Sequence, residues 1–383
     1  MTSYHSIKMP LVSDEQLLLL KAAVFPEEEA LVCWQTWCER HQLAVTQAPC
    51  QYTASKIMMA CADDDSKRLM PMIYRNLVKT SDKLVLSLGN IYRHTWVKNH
   101  KHLLRMQNLT TALKEAGIEV LMIKGLPLSL RYYKDLGVRI SNDLDLLVPT
   151  SKAGQALQLL RNVPHNLRVT AHEVKHRPLL HAMHLYDRNR EDVDLHWNLL
   201  IQHPYPNADE PFWKNSQTFT LPDGTFAKTL SPTHQLFHNI VHGYPFHWRS
   251  RYAIRWIPDS YVIYQNEMSI DWRELFELGE RYRMSIPVWH ALQILEKDFR
   301  LHLPEAARRQ MNNLNVSKNE KIYFSLAARK SSTWLTKGFR YFYRLHMGYT
   351  LFRHGNPGLS RMRFVQGELC KSLKPDYNQT LLP

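Results

Sequence analysis

From Asp14 to about Ala116, apolar residues recur at helical spacing, as in Leu17, Leu18, Leu20 and Ala23 and again in Leu84, Leu86, Leu88, Ile91 and Tyr92. This third of the chain is therefore predicted to be helical. One long helix is expected from about Ser81 through Leu103, Leu104, Leu109 and Leu113 to Ala116, with Gly117 as its C-terminal stop. The period then changes. Ile118 to Ile123 reads as a short buried strand, Lys124-Gly125 as a turn, and Leu126-Pro127 as the start of a short helix, since proline suits a first turn. Asp143 to Val148 alternates acidic and apolar residues in its first half, the pattern of a strand with one polar side. Pro149 and Ser151 end it and open another helix through Ala156, Leu157 and Leu160.

Leu180 to Asp187 and Asp192 to Trp197 are two alternating runs separated by Arg188 to Glu191, a spacing that predicts an antiparallel hairpin with Asp194 in mid-strand. Asp223-Gly224 predicts a second hairpin, between Phe219-Thr220-Leu221 and Phe226-Ala227-Lys228, and Ser231-Pro232 starts a helix. Helical spacing continues to about Phe352, Pro357-Gly358 breaks it, and a basic tail with Arg361, Arg363, Lys371 and Lys374 follows.

The chain's 383 residues, 44% hydrophobic and 22% charged, suffice to bury a large core without disulfides or structural metals. Its five cysteines are odd in number and never form CxxC, which argues against a disulfide framework or zinc knuckle and for a reducing cytoplasm. The longest apolar run near the N-terminus, Leu17 to Leu20, is far short of a membrane span, and no basic-then-apolar leader precedes it. No membrane partner is expected. The net charge of +14 favours phosphate-rich partners, nucleotides or RNA, without choosing between them.

Residues two apart in a strand share a face, so Asp143 and Asp145 project together while Leu144 and Leu146 enter the core. Two carboxylates held together repel and raise each other's pKa unless a cation lies between them. Mg²⁺, a hard ion that shares oxygen ligands with phosphates, resolves that cost, and two-metal phosphoryl transfer places such ions roughly 3.5 to 4 Å apart. A third carboxylate from a neighbouring strand is needed to activate an attacking hydroxyl. Asp194 is the candidate, from the face it shares with Asp192 and His196.

The string Leu121-Met-Ile-Lys-Gly-Leu-Pro-Leu, then Arg139, Asn142-Asp-Leu-Asp-Leu-Leu-Val148 and Val193-Asp-Leu-His-Trp197, resembles the uncharacterised nucleotidyltransferase family of the DNA polymerase beta-like superfamily. The likeness continues through Leu230 to His238, His242, Arg255-Trp-Ile-Pro-Asp259 and Asp271-Trp272. It implies an α+β fold: a polymerase beta-like core, with a small mixed sheet and flanking helices, between N-terminal and C-terminal helical regions. Residues 1–117 would form the N-terminal region, 118–229 the core, 230–356 the C-terminal helical domain and 357–383 the tail. It further implies transfer of a nucleoside monophosphate from an NTP such as ATP, with release of pyrophosphate. Two Mg²⁺ ions would be held by Asp143 and Asp145, with Asp194 completing the site. Superfamily members carry Gly-Ser at the helix start, whereas this chain has Lys124-Gly125-Leu126. The Gly125 backbone, the Lys124 ammonium and Arg139 are therefore expected to meet phosphate; the competing reading has Lys124 paired with an aspartate.

The acceptor stays open: a small molecule, a protein, or RNA or tRNA as in toxin and defence systems. A protein that binds nucleotide without turnover is the third alternative, motivated by the missing serine. His234, His238 and His242 share a helix face, where packing or substrate contact is preferred to zinc because no further N or S ligand lies at a suitable spacing. His172, His176, His181 and His184 read as cleft or surface histidines, and Trp34 and Trp37 as core. The mixed basic and aromatic stretch from Lys337 to Arg353 suits either an amphipathic helix or an RNA track, the helix being preferred.

Overall fold

The computed structural model describes residues 12–43, 51–162, 164–169, 180–187, 192–200, 207–244 and 254–327. The Arg188 to Glu191 turn, His172, His176, the Lys337 to Arg353 stretch and the basic tail lie outside the described residues.

The chain opens with helices α1 (Asp14–Val24), α2 (Glu27–Arg40), α3 (Gln51–Cys61), α4 (Met70–Leu77), α5 (Lys83–Ser87) and α6 (Gly89–Glu115). Ser13 and Gln16 form a reciprocal capping box at the start of α1, each side chain accepting from the other's backbone N–H at 3.2 and 3.1 Å. The helix expected from Ser81 is present as two. Asp82 caps α5 through the Val85 amide at 2.9 Å, and the Leu88 amide turns back to the Val85 carbonyl at 2.9 Å, a tighter turn than α-helix makes. The α6 helix ends at Glu115, and Gly117 just beyond it adopts φ +69°. The Ile118 amide reaches the Leu113 carbonyl at 2.9 Å, the bond that closes a left-handed C-terminal cap.

Next come β1 (Leu121–Ile123), α7 (Gly125–Leu128), β2 (Asp143–Leu147), α8 (Ala153–Arg161), β3 (Ala182–Tyr186) and β4 (Asp192–His196). The strands make one sheet in the order β1-β2-β4-β3, in which β2 and β4 run parallel and both outer pairings are antiparallel. The β3–β4 hairpin is the one its alternation predicts. Leu144, Leu146, Val193 and Leu195 turn to one face and pack with Leu109 and Leu113 of α6 and Leu157 and Leu160 of α8. Period 2 sends Asp143, Asp145, Asp192, Asp194 and His196 to the other face.

After α9 (Glu210–Lys214), strands β5 (Gln217–Thr220) and β6 (Phe226–Thr229) form the second expected hairpin. The helices α10 (Pro232–Gly243), α11 (Trp256–Asn266), α12 (Trp272–Arg281), α13 (Ser285–Phe299), α14 (Glu305–Asn312) and α15 (Lys318–Ala327) follow. A second core joins them to the N-terminal helices and includes Trp34 and Trp37, stacked at 5.6 Å, with Phe237 and Tyr282. The α10 helix is central to it, because Ser231 caps its start and Gly243 lets α11 close in. A Cβ at Gly243 would lie 2.3 Å from the Trp256 side chain. The fold is α+β, with a small mixed sheet among many helices. No helix among the described residues is long and apolar enough to cross a membrane.

Candidate active site

A cleft of about 320 Å³ lies between the polar face of the sheet and α10. The parallel β2–β4 register sets Asp143 opposite Asp192 and Asp145 opposite Asp194. Ligand atoms of Asp145, Asp194 and His196 all lie within 4.8 Å of one another, the group of metal-ligand type found among the described residues. Asp143 lines the same cleft but is not part of that group. Strand spacing puts His196 on this face, but periodicity alone does not distinguish a ligand from a packed imidazole.

Lys124 supplies the positive charge among these acids. Its Nζ donates to Asp145 Oδ1 at 2.6 Å and lies 3.3 Å from His196 Nε2, which also contacts Asp145 Oδ1 at 3.1 Å. The turn that presents it is strained: Lys124 sits at φ +59°, ψ −120°, a glycine-type conformation that costs a longer side chain on the order of 1–3 kcal/mol. The next residue has no room for a side chain unless Ser141 and Arg139 move. A Cβ at Gly125 would lie 2.0 Å from Ser141 Oγ and 2.8 Å from Arg139 Nη1.

Burial works to raise the Asp145 carboxyl, but the Lys124 ammonium and the His196 hydrogen bond outweigh it and hold the group well below the usual carboxylate range. Burial likewise opposes a charged Lys124, and Asp145 and Asp194 override it, so its pKa is raised. At Asp143, burial and the neighbouring Asp145 charge push the carboxyl up. At Asp194, burial is outweighed by the hydrogen bond from His184, and the carboxyl is lowered. His184 spans both outer acids, with Nδ1 2.9 Å from Asp194 and Nε2 3.1 Å from Asp192. It belongs to the histidine group read as cleft or surface residues, and the adjacent β3 strand is what aims it at Asp194.

Arg139 also lines the cleft, but its guanidinium is committed to a buried bidentate pair with Asp259 at 2.9–3.1 Å. Tyr133 donates to the same carboxylate at 2.8 Å. This pair joins the sheet side to α11. Arg68 and Arg255 line the cleft and form no ion pair among the described residues; Arg255 Nη1 donates to the Ile140 carbonyl at 2.6 Å. Neither was assigned a role from sequence, since each lies outside the strands and only packing brings it here.

The far wall is α10. The histidine stripe divides: His234 turns away and bonds Glu274 at 3.0 Å, whereas His238 and His242 line the cleft. Successive histidines lie only about 40° apart around the helix, so packing makes the split, with Glu274 of α12 drawing His234 to itself. Burial and the Lys124 charge lower the His238 pKa to about 3 and take His242 well below its usual value too.

Two carboxylates and an imidazole are the donor set of a divalent-cation site, and the buried His196 Nδ1 has no hydrogen-bond partner among the described residues. The residues present therefore fit a metal ion.

Among solved structures, an antigenic nucleotidyltransferase-like protein from Paracoccidioides brasiliensis is similar, with 16% identity and a TM-score of 0.34 over 57% of this chain and 93% of that one. No curated protein matches the chain. A family model described as an uncharacterised nucleotidyltransferase matches residues 65–300, a span that contains the sheet, the Lys124 turn and α10, and the chain belongs to that family.

Proposed function

We propose that this cleft transfers a nucleoside monophosphate from an NTP to a hydroxyl-bearing acceptor and releases pyrophosphate. The observation that carries the reading is the parallel pairing that sets Asp145 opposite Asp194, beside Lys124, in a cleft also lined by Arg68 and Arg255, which form no ion pair among the described residues. Asp143, Asp145 and Asp194 would hold Mg²⁺, two ions by the expectation from sequence, with His196 at hand as a further ligand. When bound, the metal neutralises phosphate charge and polarises the α-phosphate.

The protein's own groups do the rest. Arg68 and Arg255 bind phosphate oxygens, Lys124 adds charge from its strained turn, and the Gly125 backbone meets phosphate beside it. Arg139, through Asp259, holds sheet and helices at the spacing the substrate needs. The acceptor oxygen attacks the α-phosphorus, the α–β anhydride bond breaks, and the hydroxyl proton passes to Asp194, which His184 orients. Residues 118–229 act here as the catalytic core, and the C-terminal helical region contributes the α10 wall of the cleft.

A second reading makes RNA or tRNA the acceptor, and the net charge of +14 favours it. Purified protein incubated with Mg²⁺, α-labelled NTPs and either total RNA or a mixture of small-molecule and protein acceptors separates the two. Label is expected in one acceptor class, together with pyrophosphate, and chelation of Mg²⁺ abolishes both. Absence of pyrophosphate release with every NTP and acceptor would sink the transferase reading and leave nucleotide binding without turnover.

A further inference from the structure

The walls of the cleft differ in one respect that nucleotidyl transfer does not explain. On the strand side, the acids Asp145 and Asp194 are each bonded to a cationic or imidazole partner. On α10, Gln235 is 1% exposed, lines the cleft, and has no hydrogen-bond partner for either its amide nitrogen or its amide oxygen among the described residues. His238, also 1% exposed and one turn further along the same face, likewise has no partner for Nε2. Asn239 shows that this is not general to α10, for its amide donates to the Trp256 carbonyl and to Ser260 Oγ, both at 2.8 Å. An unmet buried donor and acceptor each cost about 1–3 kcal/mol, so such groups point to something that meets them.

We infer that Gln235, supported by His238, reads the base edge of the nucleotide. The inference rests on the transferase reading above and adds its base selectivity. A side-chain amide offers one donor and one acceptor side by side in a plane, the complement of a base edge that presents an adjacent acceptor and donor. The His238 and His242 rings, with centroids 5.6 Å apart and planes tilted by 50°, add aromatic surface beside it. The triphosphate is not the better occupant of this wall. Both imidazoles are held neutral by burial and by the Lys124 charge, and the cations of the cleft come from elsewhere, Arg68 and Arg255 among them. Nor is a second metal centre: the metal-type group among the described residues is the one on the strands.

The test is calorimetric binding of ATP, GTP, CTP, UTP and tripolyphosphate, with Ca²⁺ present, to the wild-type protein, Gln235→Leu and Gln235→Met. The wild type is expected to prefer one base, or one pair of bases, by tenfold or more. Both variants should compress that preference to less than threefold while their tripolyphosphate affinity stays within twofold of wild type. Wild-type protein also serves without any substitution: analogues of the preferred NTP that lack one hydrogen-bonding atom of the base should bind at least tenfold more weakly, and 2′- and 3′-deoxy forms about as well as the parent. Equal affinity for all four NTPs, an unchanged preference in both variants, or loss confined to the deoxy-sugars overturns the inference and leaves the transferase reading standing. If neither the NTPs nor tripolyphosphate bind the folded protein, both readings fall.

Discussion

The strand wall and the helix wall of the cleft solve opposite problems. The strands bring several like charges together, and the structure answers with Lys124 and His184, so that Asp145 and Asp194 both stay below the ordinary carboxylate range despite burial. The helix brings neutral groups, and they stay neutral: burial and the Lys124 charge push the His238 pKa down to about 3, and Gln235 has no charge to lose. The lesson is that burial disfavours every charge, and a partner of opposite charge decides whether that cost is overcome. Asp209 makes the same point away from the cleft. It is as buried as Asp145 but has hydrogen bonds from Leu199 and Asn198 in place of a cation, and burial raises its pKa to about 7.

The most severe break is Asp145→Asn. It removes the shared partner of Lys124 and His196, and pyrophosphate release should fall more than about 100-fold, beyond what loss of an outer partner of a metal site costs. Lys124 then keeps only the more distant Asp194 and Asp143 charges, and stability should fall, by less than the roughly 3–5 kcal/mol that a fully unpaired buried charge costs, read from the urea midpoint. Near-normal turnover in this variant would mean that the strand wall is not where the chemistry occurs.

A smaller effect separates the Lys124 side chain from its backbone. Both Lys124→Ala and Lys124→Gly lose the ammonium and should lose activity alike. Only glycine relieves the φ +59° strain, so the glycine variant should unfold at higher urea, by about 1–3 kcal/mol. Coincident midpoints would remove strain from the account of the turn.

The mildest is a pH profile. The Asp209 carboxyl, near 7 when folded and about 3.9 when unfolded, binds more protons in the native state between those values. Its contribution to stability therefore declines as pH rises from about 4 to 7 and is level above that. Asp209→Asn should flatten this part of the denaturation profile, and a slope unchanged by the substitution would assign it to another group, Glu320 being next with a pKa also raised to about 7 by burial.

Period and punctuation alone determined much of this protein. Alternation in Asp143–Leu147 and Asp192–His196 decides which side chains share a face, because a strand has no other way to place residues two apart. Gly117, Asp223-Gly224 and Ser231-Pro232 likewise mark a helix end, a hairpin and a helix start through backbone preferences that act within a few residues. The parallel register that sets Asp145 against Asp194 was a different matter, as was the arrival of Arg68, Gln235 and Arg255 at the same cleft. Nothing local encodes them: they join residues from 68 to 255, and only burial of the two cores selects the one arrangement that brings them together. The pairing of Arg139 with Asp259, and the turning of His234 away from His238 and His242, were decided there too, since a side chain's partner depends on which helix packs opposite it.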